Sequence, residues 1–413
     1  MKTTPFWTDD FPRPDDLPVS EHMPQQVDVA VVGSGYTGLS AARVLAKSGA
    51  AVAVLEQETI GWGASSRNGG MTMPGLKQGT QTVLDRYGPD TGRALWQATI
   101  DAVYLIDEIV KEEGLDCDWR IDGHMALAAK PSHFESMKQK KAWYEKELGY
   151  KDMRLVSRQD MQSEIGTTVY YGGLVGESGA GIHPAKYVFG LARAAARHGA
   201  SLNEQAGVTR LEKQNGNFLV HTARDMVSAK EVIIATNGYT KRLVPRLKPK
   251  LFPVGSYPIV TEPLSPALQQ KLSPNGRMFY DSKWFLNYFR LTHDGRMLWG
   301  GRNDLSTDLD LRKSATILRQ QMVDTFPDLE DVPVTHSWTG KLGITFDLVP
   351  HMGQKDGLHY AFGYGGHGLS MSTYLGADLG KLLSGEISSS PFLEIPQQTK
   401  FFYRNEPWFL PLA

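Results

Sequence analysis

Apolar positions along the chain fall into short unbroken runs near its two ends and into alternating or helical patterns between them. Val27-Asp28-Val29-Ala30-Val31-Val32 is a β-branched run of the kind expected of a parallel strand buried on both faces. Gly33-Ser34-Gly35-Tyr36-Thr37-Gly38 follows at once, and Leu39 to Lys47 then shows helical spacing, with Leu39, Ala42, Val44 and Leu45 apolar. Ser48-Gly49 supplies the residue suited to a left-handed helix end, and Ala51 to Leu55 is a second strand that stops at Glu56. Downstream, Gly207 to Glu212 and Phe218 to His221 predict a hairpin around Asn215-Gly216. Glu231 to Ala235 is another buried strand, ending in the turn Thr236-Asn237-Gly238. Leu358 to Phe362 is a strand, Gly363-Tyr364-Gly365-Gly366-His367-Gly368 a second glycine turn, and Leu369 to Leu383 a helix. Between these, Thr91 to Glu113 reads as a long amphipathic helix, and Asp118 to Ala129 as a hairpin turning at Asp122-Gly123. Pro245 to Leu264 and Tyr280 to Gly301 read as strands of a mostly antiparallel sheet, with His293-Asp294-Gly295 as a turn.

The first of these units has a mechanical reason for each part. Gly33 permits the tight turn, Gly35 lets backbone approach a pyrophosphate, and Gly38 lets the helix pack closely on the sheet. The pyrophosphate would rest on the unpaired N–H groups of a helix start, contributed here by Ser34, Gly35, Tyr36 and Thr37. Glu56 lies 18 residues beyond Gly38, where a carboxylate accepts hydrogen bonds from both ribose hydroxyls and repels a 2′-phosphate. Glycines in an ordinary tight turn would explain an isolated motif. Two flanking strands, a helix end and an acid in register argue for a dinucleotide.

Length and charge narrow the setting. At 413 residues the chain exceeds what one hydrophobic core usually organises, so two domains are expected. Lys plus Arg is 44 and Asp plus Glu is 45, a net charge of -1 with none of the basic footprint of a nucleic-acid binder. The single cysteine, Cys117, forbids an intramolecular disulfide or a thiolate metal cluster and fits a reducing, cytoplasmic setting. Histidines are scattered without metal-ligand spacing, so no metal is expected. The first 24 residues are polar and proline-bearing, without the apolar stretch of a signal peptide, and Val27 to Leu55 is broken by charges and glycines, so no membrane span is expected.

The choice between NAD and FAD rests on the rest of the chain. After Glu56 comes no quick third strand but the loop Gly61-Trp62-Gly63-Ala64-Ser65-Ser66-Arg67-Asn68-Gly69-Gly70, dense in small residues and backbone donors and suited to close approach to a flat ring. The alternative for such a segment is a mobile surface loop. The second glycine turn presents another helix start, whose positive end could face a flavin pyrimidine edge. Its alternative is one more strand-to-helix turn.

With these elements in order, the chain resembles the FAD-dependent amine oxidoreductases, the group of D-amino-acid oxidase, glycine oxidase and monomeric sarcosine oxidase. VVGSGYTGLSAARVLAKSGAAVAVLE, GWGASSRNGG, AGIHPAKYVFGLARAAARHGA, VIIATNGY and GYGGHGLSMS carry the resemblance, and GWGASSRNGG is most similar to the gamma-glutamylputrescine oxidase branch. The resemblance implies an α/β fold: a Rossmann-like FAD-binding domain and a second α+β substrate domain on a mostly antiparallel sheet. The FAD domain would comprise residues 27–80, 150–240 and 345–390, the substrate domain 81–149 and 241–344, with 1–26 and 391–413 as peripheral tails. It implies FAD held by Gly33 to Gly38, Glu56, Gly63 to Gly69, Val208, Thr236, Asn237, Gly238, Gly366, His367, Gly368, Leu369 and Ser370. The expected chemistry is hydride transfer from an amine-bearing carbon to flavin N5, leaving an imine that water hydrolyses.

Departures from the family pattern sharpen the substrate. The lysine that clamps a substrate carboxylate after the GHG turn is replaced by Ser370, its partner arginine falls near Met71, and the glycine-oxidase arginine falls near Lys341 or Leu342. An amine whose carboxylate is remote or absent is therefore expected, although Lys341 could still anchor an acid. An amino-acid or N-methyl-amino-acid oxidase is the alternative, and a non-catalytic dinucleotide-binding protein the alternative of another class. Cysteine and histidine are absent from the positions of covalent flavin attachment, around Trp338 to Gly340 and Arg67, so FAD is expected to be non-covalent. The oxygen-activating lysine aligns near Trp299, which leaves O2 or another electron acceptor open, with an oxidase favoured. Trp284, Leu286, Tyr288 and Arg290 alternate on one face of a predicted strand, opposite Phe285, Asn287 and Phe289, and Trp284 or Tyr288 would attract an arriving cation. For each aromatic the alternative is core packing. His367 is expected at the flavin edge or the substrate, whereas His183-Pro184 orders a turn. The aromatic tail, Phe401 to Tyr403 and Trp408 to Leu410, is too short to span a bilayer and is expected to dock on its own fold or on a neighbouring subunit. The sequence carries no signature of an oligomeric state.

Overall fold

The computed structural model describes residues 1–240, 243–301, 309–393, 395–401, 403, 407 and 410. Its first sheet is ordered His351–Lys355, Leu358–Phe362, Met226–Ile234, Gln26–Val32, Val52–Leu55, Ser201–Asn203. The last five strands of that order run parallel, with Val31 beside Ile233 on one side and Val54 on the other. Val29 and Val31 enter the core beneath the helices, while Ala30 and Val32 enter the core on the opposite face, so the apolar run is buried on both sides. The helices Tyr36–Lys47, Pro89–Glu113, Pro184–Arg197 and Gly368–Ser384 share the first of these cores. A hairpin of Val208–Gln214 and Asn217–Thr222 extends the sheet, turning at Asn215 and Gly216, which take φ of 51° and 85°.

The second sheet is ordered Val334–Ser337, Leu251–Pro263, Arg296–Gly301, Tyr288–Leu291, Met278–Asp281, His124–Leu127, Gly172–Gly176, Met153–Ser157, with Gly340–Thr345 also paired to the long strand. Its pairings are antiparallel except that between Met278–Asp281 and His124–Leu127. The α/β class and the mostly antiparallel second sheet are as the sequence implies.

Three sequence expectations are corrected. Met153–Ser157 and Gly172–Gly176 belong to the second sheet, so residues 150–176 do not join the first domain. Helix Pro89–Glu113 buries Leu95, Ala98, Ala102 and Ile106 in the first domain's core, so residues 81–149 do not belong wholly to the second. Asp122-Gly123 closes no hairpin: Arg120 pairs with Gly181 and the Gly123 amide donates to Gly179 O at 2.8 Å, so the chain crosses to a different partner before the strand begins. The ends are less peripheral than expected. Phe6 and Trp7 are buried in the first core, while Tyr403 packs with Phe252 and donates to Leu251 O at 3.1 Å. Phe402, Trp408 and Phe409 lie outside the described residues. Among the described residues no helix is long and apolar enough to cross a membrane, and no group of acids, histidines and cysteine could hold a metal ion.

Candidate active site

A cavity of about 1820 Å3 opens at the carboxyl ends of the parallel strands and continues to the face of the second sheet. Sites for a single small ligand run to roughly 300–1,000 Å3, so this volume accommodates a dinucleotide and a second molecule.

At one end of it the turn after the first strand has the backbone that the glycine spacing predicts. Gly33 takes φ of +102°, and a Cβ there would lie 3.1 Å from Ala235 O. A Cβ on Gly38 would lie 2.0 Å from Gly33 O, so the helix packs against the turn only because that atom is missing. A Cβ on Gly35 would sit 3.0 Å from Ser65 Oγ. Gly35 caps the helix with no side chain of its own; the Tyr36 amide donates to Ser65 Oγ at 3.0 Å, and the remaining first-turn N–H groups are left for a ligand. Glu56 is fixed by Ser34, whose amide and hydroxyl both donate to its Oε2, at 2.9 and 2.6 Å.

The loop after Glu56 is anchored rather than loose. Ser66 Oγ donates to Gly61 O at 2.7 Å, and Asn68 Nδ2 donates to Ser65 O at 3.0 Å. From outside, Trp7 Nε1 donates to Asn68 O at 2.7 Å and Trp338 Nε1 to Arg67 O at 2.8 Å. Gly63, Ala64, Ser65, Arg67, Asn68 and Gly69 line the cavity, and a Cβ on Gly69 would meet the Tyr288 ring at 2.8 Å. The second glycine turn closes this end. Gly366, His367, Gly368, Leu369 and Ser370 line the cavity at the start of a 17-residue helix without a side-chain cap. Val208, Thr236 and Asn237 complete the lining, and Asn237 Oδ1 accepts the Gly363 amide at 3.0 Å.

Among the remaining residues singled out from the sequence, Lys341, Trp284 and Tyr288 also line the cavity, whereas Gly38, Ser66 and Gly238 lie behind its wall. Trp299 does not approach it. The indole is fully buried in the second core, stacked on Phe289 at 4.3 Å, because strand alternation sends it to the face opposite the cavity. The strand predicted across Trp284 to Arg290 starts only at Tyr288. Buried Asp281 Oδ1 accepts the amides of Lys283 and Asn287, at 3.3 and 3.0 Å, and folds the intervening residues into a loop. Phe285 and Leu286 therefore both face the cavity, and Trp284 stands at its rim, 90% exposed. Arg290 is buried away from it, donating to Ile182 O at 2.8 Å above the Trp7 ring.

The wall provided by the second sheet and the helix Pro131–Leu148 packed over it was not legible in the sequence. His124, Lys140, Tyr144, Tyr150 and Tyr280 line it. Burial, reinforced by Lys77 and Lys140, brings the His367 imidazole down to about 4. Burial, reinforced by Lys140, Arg277 and His367, brings His124 to about 3, so both rings are neutral at ordinary pH. Among the described residues the acids of the lining are Glu56 and Glu58, both beside the first glycine turn.

The donor set, the uncapped helix starts, the missing side chains at Gly33 and Gly35 and the volume all fit FAD. The comparisons with known proteins agree. The chain is 34% identical over 361 residues to the gamma-glutamylputrescine oxidoreductase of Escherichia coli, covering 87% of this chain and 84% of that protein. It is 33% identical over 367 residues to a probable oxidoreductase, OrdL, of Haemophilus influenzae, covering 88% and 84%. In fold it is similar to the crystal structure of glycine oxidase from Geobacillus kaustophilus, with a TM-score of 0.76 at 22% sequence identity over 91% of this chain and all of that one. Residues 28–382 match the family of FAD-dependent oxidoreductases typified by D-amino-acid oxidase, and the chain belongs to it as an FAD-dependent oxidoreductase.

Proposed function

We propose that the protein oxidises a primary or secondary amine whose carboxylate is remote from the reacting carbon or absent, with gamma-glutamylputrescine as the leading candidate. The observation that carries this reading is the chemistry of two lining positions. Where the resemblance expects a cationic clamp for an α-carboxylate, the cavity wall holds Met71 and Ser370. A small α-amino acid would lose a charge-assisted pair there. The relative named gamma-glutamylputrescine oxidoreductase supports the same class.

Bound FAD supplies the hydride acceptor. Gly33, Gly35 and the helix start at Tyr36 would hold its pyrophosphate, Glu56 its ribose, and the loops at Gly63 to Gly69 and Gly366 to Ser370 its ring. These contacts are non-covalent on this reading, since Cys117 lies in the helix core and not on the cavity. Trp284 and Tyr288 would receive the amine as a cation at the rim and its wall. Deeper in, burial and the charges of Lys77 and Lys140 disfavour an ammonium, so the bound amine loses its proton and becomes the form able to give up hydride. Water then hydrolyses the released imine to an aldehyde. Oxygen is the proposed electron acceptor.

Anaerobic mixing of the yellow holoenzyme with gamma-glutamylputrescine, putrescine, glycine and sarcosine tests the reading. Gamma-glutamylputrescine should bleach the flavin and glycine should not, and air should restore the colour with release of peroxide. Bleaching by glycine or sarcosine alone would move the protein to the amino-acid oxidases.

A further inference from the structure

We infer that Lys140, backed by His124, forms a carboxylate subsite in the cavity wall opposite the nucleotide turn, where it holds the remote acid group of the amine substrate. The inference deepens the amine reading and rests on it.

Lys140 belongs to the helix Pro131–Leu148. Three other lysines of that helix have acids beside them: Lys138 with Glu135 at 2.8 Å, Lys141 with Glu145 at 2.5 Å and Lys146 with Glu147 at 3.0 Å. Lys140 has no acid partner among the described residues, and its ammonium lies 5.5 Å from the Tyr144 ring centroid. Lys140 is exposed on the helix and lines the cavity, and the protein packed about its ammonium lowers its pKa. An ammonium on the cavity wall with no acid beside it can form a charge-assisted hydrogen bond to a bound carboxylate.

Three neighbouring side chains are already engaged, and His124 supplies a second donor. Tyr144 Oη is engaged with Thr80 Oγ1 at 2.6 Å, and Tyr150 Oη with Ser178 Oγ at 2.9 Å. Lys283 is paired with Asp281 at 3.1 Å. His124 is neutral, and its Nδ1 is buried without a partner, so the proton belongs on Nε2, the ring nitrogen that remains open. Among the described residues no carboxylate lines this end to compete for Lys140. A substrate with an amine at one end and an acid at the other would then lie across the cavity, with its reacting carbon toward His367 and its acid on Lys140.

The test is a titration of the holoenzyme, under anaerobic conditions, with two ligands that lack the terminal amine of gamma-glutamylputrescine, γ-glutamyl-n-butylamide and its α-carboxamide. Calorimetry supplies a Kd that is independent of turnover. Wild type should bind the carboxylate more tightly. Lys140→Met should raise its Kd by about ten- to a hundredfold and leave the carboxamide within about twofold. Lys140→Arg should restore most of the preference, which a loss of folding would not allow. Equal weakening of both ligands, an unchanged Kd, or no binding of the carboxylate by wild type would each overturn the subsite. A wild type that shows the preference but is bleached by no amine would sink the amine oxidation and leave the anion site standing. One bleached equally well by putrescine and gamma-glutamylputrescine, with no preference in the titration, would sink the subsite alone.

Discussion

Trp7 Nε1 donates to the carbonyl of Asn68 at 2.7 Å, tying the first turn of the chain to a loop 61 residues away that lines the cofactor cavity. Asn68 in turn holds the loop through Ser65 O, and the Trp7 ring underlies Arg290 at 5.5 Å. Trp7→Phe deletes the donor and, with it, the pyrrole half of a buried indole. It should cost about 1–3 kcal/mol of stability and raise the Kd for FAD several-fold, read from flavin fluorescence on dilution. Unchanged FAD retention would show that the amino-terminal segment does not brace the loop.

Gly35→Val places a branched side chain against Ser65 Oγ and into the space assigned to the pyrophosphate. The purified variant should be folded by circular dichroism but colourless, and it should stay colourless after incubation with FAD. Normal FAD content would show that the cofactor lies elsewhere. Gly38→Ala should go further and lower stability itself, because its Cβ would fall 2.0 Å from the Gly33 carbonyl oxygen.

His367 and His124 stay neutral in the folded protein, pressed by burial to about 4 and about 3. The unfolded chain binds protons on both near pH 6.5 while the native state does not, so stability declines as pH falls below that value. Thermal melts should drop progressively from pH 6.5 to about 4, and His367→Asn should remove part of that slope. The rate of flavin reduction should show no acid limb from His367 above about pH 5. A limb near pH 6.5 that vanishes in His367→Asn would contradict its neutral state.

Glu113 joins three helices, accepting from Arg43 Nε at 2.5 Å, Arg197 Nη2 at 2.6 Å and His198 Nε2 at 3.1 Å. Burial pushes its carboxyl up, but the bonds from Arg197, Arg43 and His198 outweigh that and bring it to about 2. A carboxyl held below its unfolded value stabilises the fold above about pH 4.5, and this contribution is lost as pH falls toward 2. Glu113→Gln should cost about 3 kcal/mol in urea denaturation at pH 7, and its deficit against wild type should shrink between pH 4.5 and 3. A deficit independent of pH would assign the loss to packing instead.

Trp299 acts in the core. Its Nε1 is buried without a hydrogen-bond partner among the described residues, so Trp299→Phe removes an unsatisfied donor as well as some volume, and the two effects should nearly cancel, leaving stability within about 1 kcal/mol. Trp299→Ala should cost about 3–5 kcal/mol. In Trp299→Phe both flavin reduction and re-oxidation should match wild type in stopped-flow traces. A selective change in re-oxidation would return this position to oxygen chemistry.

The sequence by itself determined the parts of this protein that local physics dictates. Val27 to Glu56 could be read as strand, turn, helix, strand and acid because each step depends on near neighbours: β-branching, a positive φ at Gly33 and the missing Cβ at Gly38. Asn215-Gly216 announced its hairpin for the same reason. What only the tertiary structure decided is which distant residues face one another. Residues 284–287 alternate like a strand, yet Asp281 captures the amides of Lys283 and Asn287 and bends the segment between them into a loop. Trp299 looked like a site residue until alternation in the folded sheet turned it inward. Lys140, within Gln139-Lys140-Lys141, reads as solvated helix surface, and His124 as the start of an ordinary strand. They share a wall because the helix Pro131–Leu148 packs over the sheet that carries His124, and no spacing along one dimension records that meeting.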